Sequence, residues 1–116
     1  LIAVYSQIYP SSRDQIYLER MAHDEEAALM KSWLDLANPR IQSVASGIAY
    51  LLLALHAQGL GSVWMTGPMQ AKGDIEQLLG KPEGFDLVAL IATGYPDETP
   101  RPKTMKPFDE VVQFVE

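Results

Sequence analysis

Groups able to do chemistry on their own are scarce in this chain. It has no cysteine and two histidines in 116 residues. Without cysteine there are no disulfides, zinc-thiolate sites or thiol catalysis, which fits a reducing, cytoplasmic setting. His23 sits in a charged segment and His56 in an apolar one, with no second histidine at helical spacing. A metal site needs more ligands than that, so both read as structural and no metal is expected. Asp24, Glu25 and Glu26 read as a solvated face. Ser43, Ser46 and Ser62 lack the sharp strand-to-helix turn of a hydrolase nucleophile. Gly59 and Gly61 follow a helix and precede a strand, the reverse of a phosphate-binding glycine loop. Two features remain. In "QGLGSVWMTGP", Trp64, Met65, Thr66 and Gly67 stand in a row just past a helix end. In the tail, Arg101, Lys103 and Lys106 place three of the nine basic residues within six positions. Both are compatible with ordinary packing and a solvated tail, or with a site whose reactive atoms belong to a bound group.

The elements around these features follow from hydrophobic spacing. Leu1 to Tyr9 is rich in β-formers and ends at Pro10 and two serines, so it reads as a strand. Apolar residues recur at helical spacing from Arg13 to Leu36 among many charges, which predicts a surface or lid helix, broken or unbroken near His23 to Glu25. Asn38 followed by Pro39 is a helix start, and Ile41, Val44, Ile48, Leu51, Leu52 and Leu55 carry the period to a glycine cap at Gly59. Ala49, Leu53 and Ala54 are apolar as well, so this helix has apolar residues on more sides than one sheet can cover. Ser62 to Met65 reads as a short strand, Asp74 to Leu79 as a helix closed by Gly80, and Phe85 to Thr93 as a strand covered on both faces. Four prolines between Gly94 and Pro107 predict an extended tail. Phe108 to Val115 fits a short edge strand or a turn of helix.

The totals set outer limits. A chain of this length is one domain, residues 1–116, and buries roughly two thirds of its unfolded surface. Fifteen acidic residues against nine basic give a formal charge of -6, which repels phosphate backbones and argues against nucleic acid as a partner. The longest apolar run, Ile48 to Ala57, is too short to span a bilayer, so no membrane partner is expected. The chain opens on Leu1 inside an apolar strand with no charged leader, and reads as a longer protein without its front.

Three stretches in this order, "GIAYLLLALHAQGLGSVWMTG", "DIEQLLGKPEGFDLVALIATGYPDE" and "RPKTMKPFDEVV", resemble the later part of the FMN-dependent nitroreductase family. The likeness covers about Ile41 to Val112, with Leu1 to Tyr9 as a preceding sheet strand. It implies an α+β fold, a three-layer α/β/α arrangement of a mainly antiparallel sheet with a long buried dimer helix. It also implies an intertwined homodimer with its sites at the interface. In such proteins the strand after "GLGS" ends against the flavin ring. The resemblance therefore assigns the N5 edge to the amides of Thr66 and Gly67, with Trp64 and Met65 near the ring. It assigns the FMN phosphate to Lys103, with Arg101 or Lys106 as the second contact. Met105 stands where some members have a further basic residue, and Thr66 where some have an acidic one. The Arg-x-Ser-x-Arg segment that clamps FMN in the family has no counterpart in this chain.

The implied activity is NAD(P)H-dependent, ping-pong hydride transfer through FMN to a nitroaromatic, quinone or similar small acceptor, with no catalytic side chain. The alternative is a non-catalytic dimerising or flavin-sensing module without the phosphate clamp. A generic interaction domain is the third reading.

Overall fold

The computed structural model describes residues 1–9 and 11–115, so Pro10, expected to close the first strand, lies outside the described residues. The first strand, β1 (Ile2–Gln7), leads into a helical pair, α1 (Ser12–Met21) and α2 (Glu25–Ala37). The expected lid helix is therefore broken at the charged step in its middle. The Asp24 carboxylate accepts the Ala27 amide at 3.1 Å and opens α2, satisfying a donor that an unbroken helix would not have orphaned.

Asn38 joins two helices with one residue. It adopts a left-handed conformation (φ 44°, ψ 68°), its amide donates to the Leu34 carbonyl to close α2, and its side chain accepts the Ile41 amide at 3.3 Å to open α3 (Pro39–Ala57). Pro39 fits the first turn because its missing N–H would be unpaired there. At the other end Gly59, at φ 76°, turns the chain, and the Leu60 amide reaches back to the Leu55 carbonyl at 3.0 Å.

Next come β2 (Gly61–Met65), a 3-10 turn (Gly67–Ala71), α4 (Lys72–Leu79), β3 (Phe85–Gly94) and, after an extended tail, a last turn of helix, α5 (Phe108–Val111). Helix α4 starts two residues before the expected Asp74. Pro68 favours the tight 3-10 turn ahead of it, and the Lys72–Glu76 pair, one helical turn apart at 3.1 Å, supports the added residues.

The sheet has the order β1-β3-β2 and is antiparallel throughout. Val4 pairs with Ala89 and Tyr5 with Leu87, so Val88 is bulged out of the ladder. Helix α3 contacts all three strands, and the 3-10 turn contacts β3. The core is Ile48, Ala89 and Ile91, with Val44, Leu51, Leu52 and Leu55 of α3, Ile2 and Val4 of β1 and Trp64 of β2 packed around them. Ile48 and Ile91 are 2% and 0% exposed, and full burial of such a side chain stabilises by about 1.5–3 kcal/mol. The α+β architecture expected from the sequence holds, with β3 buried in its middle at Leu87 and Ala89 to Ile91.

The opposite face of α3 is bare. Tyr50 and Leu53 are 74% and 65% exposed. Ser43 and Ser46 turn their hydroxyls onto the Pro39 and Gln42 carbonyls, leaving a smooth surface. The chain exposes 9588 Å², about half again the roughly 6,300 Å² of a compact monomer of this mass. Its radius of gyration is 19.2 Å, against about 13 Å for a compact domain of this length. Among the described residues, no helix is long and apolar enough to cross a membrane.

Candidate functional site

Strand β2 alternates its side chains, and the alternation decides what each residue at its end can offer. Trp64 lies opposite Ile91 and packs into the core under α3, with its indole Nε1 buried and without a hydrogen-bond partner among the described residues. Met65, opposite Leu90, takes the other face. Thr66 leaves the ladder, and its carbonyl accepts the Met69 amide at 3.0 Å to start the 3-10 turn. Thr66 and Gly67 are both exposed, and a Cβ built on Gly67 would meet no heavy atom within 4 Å. The strand thus ends in an open stretch of backbone without bulk above it.

The tail is rooted at the other end of β2. Thr93 donates to the Gly61 carbonyl at 3.1 Å, and Pro96 lies 3.6 Å from where a Gly61 Cβ would stand. Beyond that root Arg101, Lys103 and Lys106 are exposed and form no ion pair among the described residues. Five of the other six basic residues are paired: Arg20, Lys31, Arg40, Lys72 and Lys81. The structure brings Trp64 to Gly67 together as one strand end. Among the described residues, no hydrogen bond or ion pair joins the tail cations to it.

A charged cluster not expected from the sequence lies at the start of β3. Asp86 accepts from Lys72 Nζ at 2.8 Å and from Arg40 Nη2 at 3.0 Å. Glu76 accepts the Leu87 amide at 2.8 Å and Lys72 Nζ at 3.1 Å, with Lys81 Nζ 3.9 Å away. The Lys72 hydrogen bond, with Arg40 beside it, holds Asp86 below the usual carboxylate range. The Leu87 amide, then Lys72 and Lys81, does the same for Glu76, while Asp86 and Glu76 together raise Lys72. The helical spacing of Lys72 and Glu76 was a visible signal. The pairing of Arg40 with Asp86, 46 positions apart, was not.

His23 and His56 are exposed, and among the described residues no cluster of His, Cys, Asp or Glu could hold a metal ion. The strand end, Trp64 to Gly67, carries no histidine, cysteine or carboxylate; it presents open backbone, and the tail presents cations that form no ion pair among the described residues.

Comparison with known proteins places the chain in a family. The chain superposes on a BluB-like flavoprotein from Clostridium difficile 630 with a TM-score of 0.75 at 26% identity, covering 98% of this chain and 52% of that one. The Nitroreductase family model matches residues 16–95, and the chain belongs to the Nitroreductase family. Curated relatives include an iodotyrosine deiodinase of Thermotoga neapolitana, 41% identical over 71 residues, covering 61% of this chain and 36% of that protein. An NADH dehydrogenase of Thermus thermophilus is 33% identical over 93 residues, 76% of this chain and 44% of its own length. An NADPH-flavin oxidoreductase of Vibrio harveyi is 35% identical over 74 residues, 62% of this chain and 31% of its own. The chain thus spans less than half the length of these curated relatives.

Proposed function

We propose that the protein containing this chain is an FMN-dependent NAD(P)H oxidoreductase of nitroreductase type, acting as a cytoplasmic homodimer on a nitroaromatic, quinone or similar small acceptor. The observation that carries this reading is the open strand end at Thr66 and Gly67, in a chain whose family is that of flavin-named relatives. The residues present fit the group. A flat ring needs backbone it can approach closely, and Gly67 offers that space; a phosphate needs unpaired cations, and Lys103, with Arg101 or Lys106, supplies them.

Bound FMN would supply the hydride chemistry, accepting from a nicotinamide and passing reducing equivalents to the acceptor. The chain's part is binding and electrostatics. The Thr66 and Gly67 amides would donate to the N5 edge and favour negative charge there. Trp64 contributes from beneath, fixing the strand through the core, and Met65 lies on the opposite face of the strand. The surplus surface and the bare Tyr50–Leu53 face of α3 support a second copy as partner, with the tail long enough to reach it: nine extended residues from Tyr95 to Lys103 span roughly 30 Å.

The test is an absorbance spectrum of the purified protein after FMN is added and the excess removed, alongside its mass by light scattering. A retained flavin band on a dimer, bleached by NADPH, is the expected result. A colourless dimer would overturn the enzyme reading and leave a dimerising module.

A further inference from the structure

Helix α4 and the 3-10 turn ahead of it have no fully buried residue; Pro68, Met69 and Ile75 are half-buried, and specific polar contacts add to that packing. Lys72, the first residue of α4, is held by Asp86 and Glu76, and the Glu76 side chain accepts the Leu87 amide beside the Val88 bulge. A bulge breaks the regular ladder pairing around it, and here a carboxylate one turn into α4 takes up the neighbouring donor. Only the five-residue 3-10 turn separates Lys72 from Thr66. The path from Glu76 to the strand end is therefore short and has few freedoms: a proline at the second turn position, hydrogen bonding of Met69 back to Thr66, and Lys72 pinned at the exit.

We propose that Glu76 is a positioning residue, which by clamping α4 to the Leu87 amide sets where the Thr66 and Gly67 amides point. Its relevance to the flavin rests on the function proposed above, but the placement of the two amides does not. Ionised Glu76 is suited to the role because its two oxygens serve different partners, the backbone and Lys72 through one and Lys81 through the other. Glutamine keeps an acceptor for the Leu87 amide and loses the ion pairs, whereas alanine loses both.

Two readouts separate this inference from the function it rests on. In flavin-free protein, amide NMR of Glu76→Ala should shift the Thr66 and Gly67 resonances and lower their backbone order parameters, with Glu76→Gln close to wild type. Unmoved Thr66 and Gly67 resonances in a folded Glu76→Ala variant would overturn the proposal, whether or not flavin binds. Should Glu76→Ala fail to fold, Glu76→Asp, which keeps the charge but is one methylene too short to reach the Leu87 amide, should produce the same local shifts, and their absence there would overturn it equally. In FMN-loaded protein, loss of amide alignment should weaken the reduced flavin about tenfold relative to the oxidised one, a midpoint potential about 30 mV more negative. A fall in melting temperature with amides and potential both unchanged would make Glu76 merely structural.

Discussion

Lys72 and Lys103 are the same residue in opposite circumstances. Lys72 is held by two carboxylates on a neighbouring strand and its own helix, whereas Lys103 stands exposed on an extended tail with no acidic partner among the described residues. The contrast extends to their surroundings: Arg40 and Lys81 join Lys72 in a cluster at the start of β3, and Arg101 and Lys106 flank Lys103 in the open. A cation already neutralised by carboxylates stabilises the fold and has little left for a ligand, while an unpaired one in an acidic protein is available to a phosphate. Position within the pairing network, more than residue type, separates a cation committed to the scaffold from one available to the proposed site.

The contrast can be broken most forcefully at the tail. Replacing Arg101, Lys103 and Lys106 together by alanine should weaken FMN binding about 100-fold, since a charge-assisted contact contributes about 1.5–3 kcal/mol. The flavin-free melting temperature should not move; fluorescence titration and calorimetry read the two sides, and undiminished FMN affinity would remove the tail from the site. At the other pole, Asp86→Ala leaves Arg40 and Lys72 without their shared partner and should destabilise by about 2 kcal/mol in urea unfolding. A loss under 0.5 kcal/mol would mean the cluster is solvated ornament.

Gly67→Val sharpens the boundary between the two poles. A Cβ at Gly67 meets no heavy atom within 4 Å, so stability should hold while FMN affinity drops about tenfold through contact with the ring edge. Normal retention would take Gly67 out of the site. The smallest effect is on the pH profile. Asp86 and Glu76 titrate below their ordinary values, so their stabilisation is full above about pH 5 and fades as pH falls through and below 4. Lys72 titrates above its ordinary value, so its share is full below about pH 10 and fades as pH rises further. Solvent screening keeps both limbs shallow, and in Asp86→Ala the acid limb of a urea series should flatten.

Much of the fold was legible because it is written in local terms. The helix start at Asn38–Pro39, the cap at Gly59 and the apolar run of β3 depend on neighbours in sequence, and each appears where its residues predict. The early start of α4 was hidden because its added residues, Lys72 and Gly73, show no apolar periodicity and are supported by partners on another strand. The strand end at Thr66 and Gly67 could be singled out by its composition, yet that Trp64 belongs to the core followed only from its register against Ile91. In the Asp86 cluster only the Lys72–Glu76 spacing was visible; the pairing of Arg40 with Asp86 was not, since charges that far apart in sequence meet only after the sheet has formed.

Asn38 closes one helix and opens the next through an intact side-chain amide, and that dependence exposes it to chemical ageing. Asparagine is ordinarily lost when the nitrogen of the following residue attacks its side chain, closing a succinimide ring and leaving aspartate or isoaspartate. Pro39 supplies a nitrogen without a hydrogen, so that ring closure is blocked at this junction. The residue that shapes the helix start thus also preserves the joint: Asn38 is the one asparagine in the sequence, and the angle it sets between α2 and α3 is guarded against that route of loss.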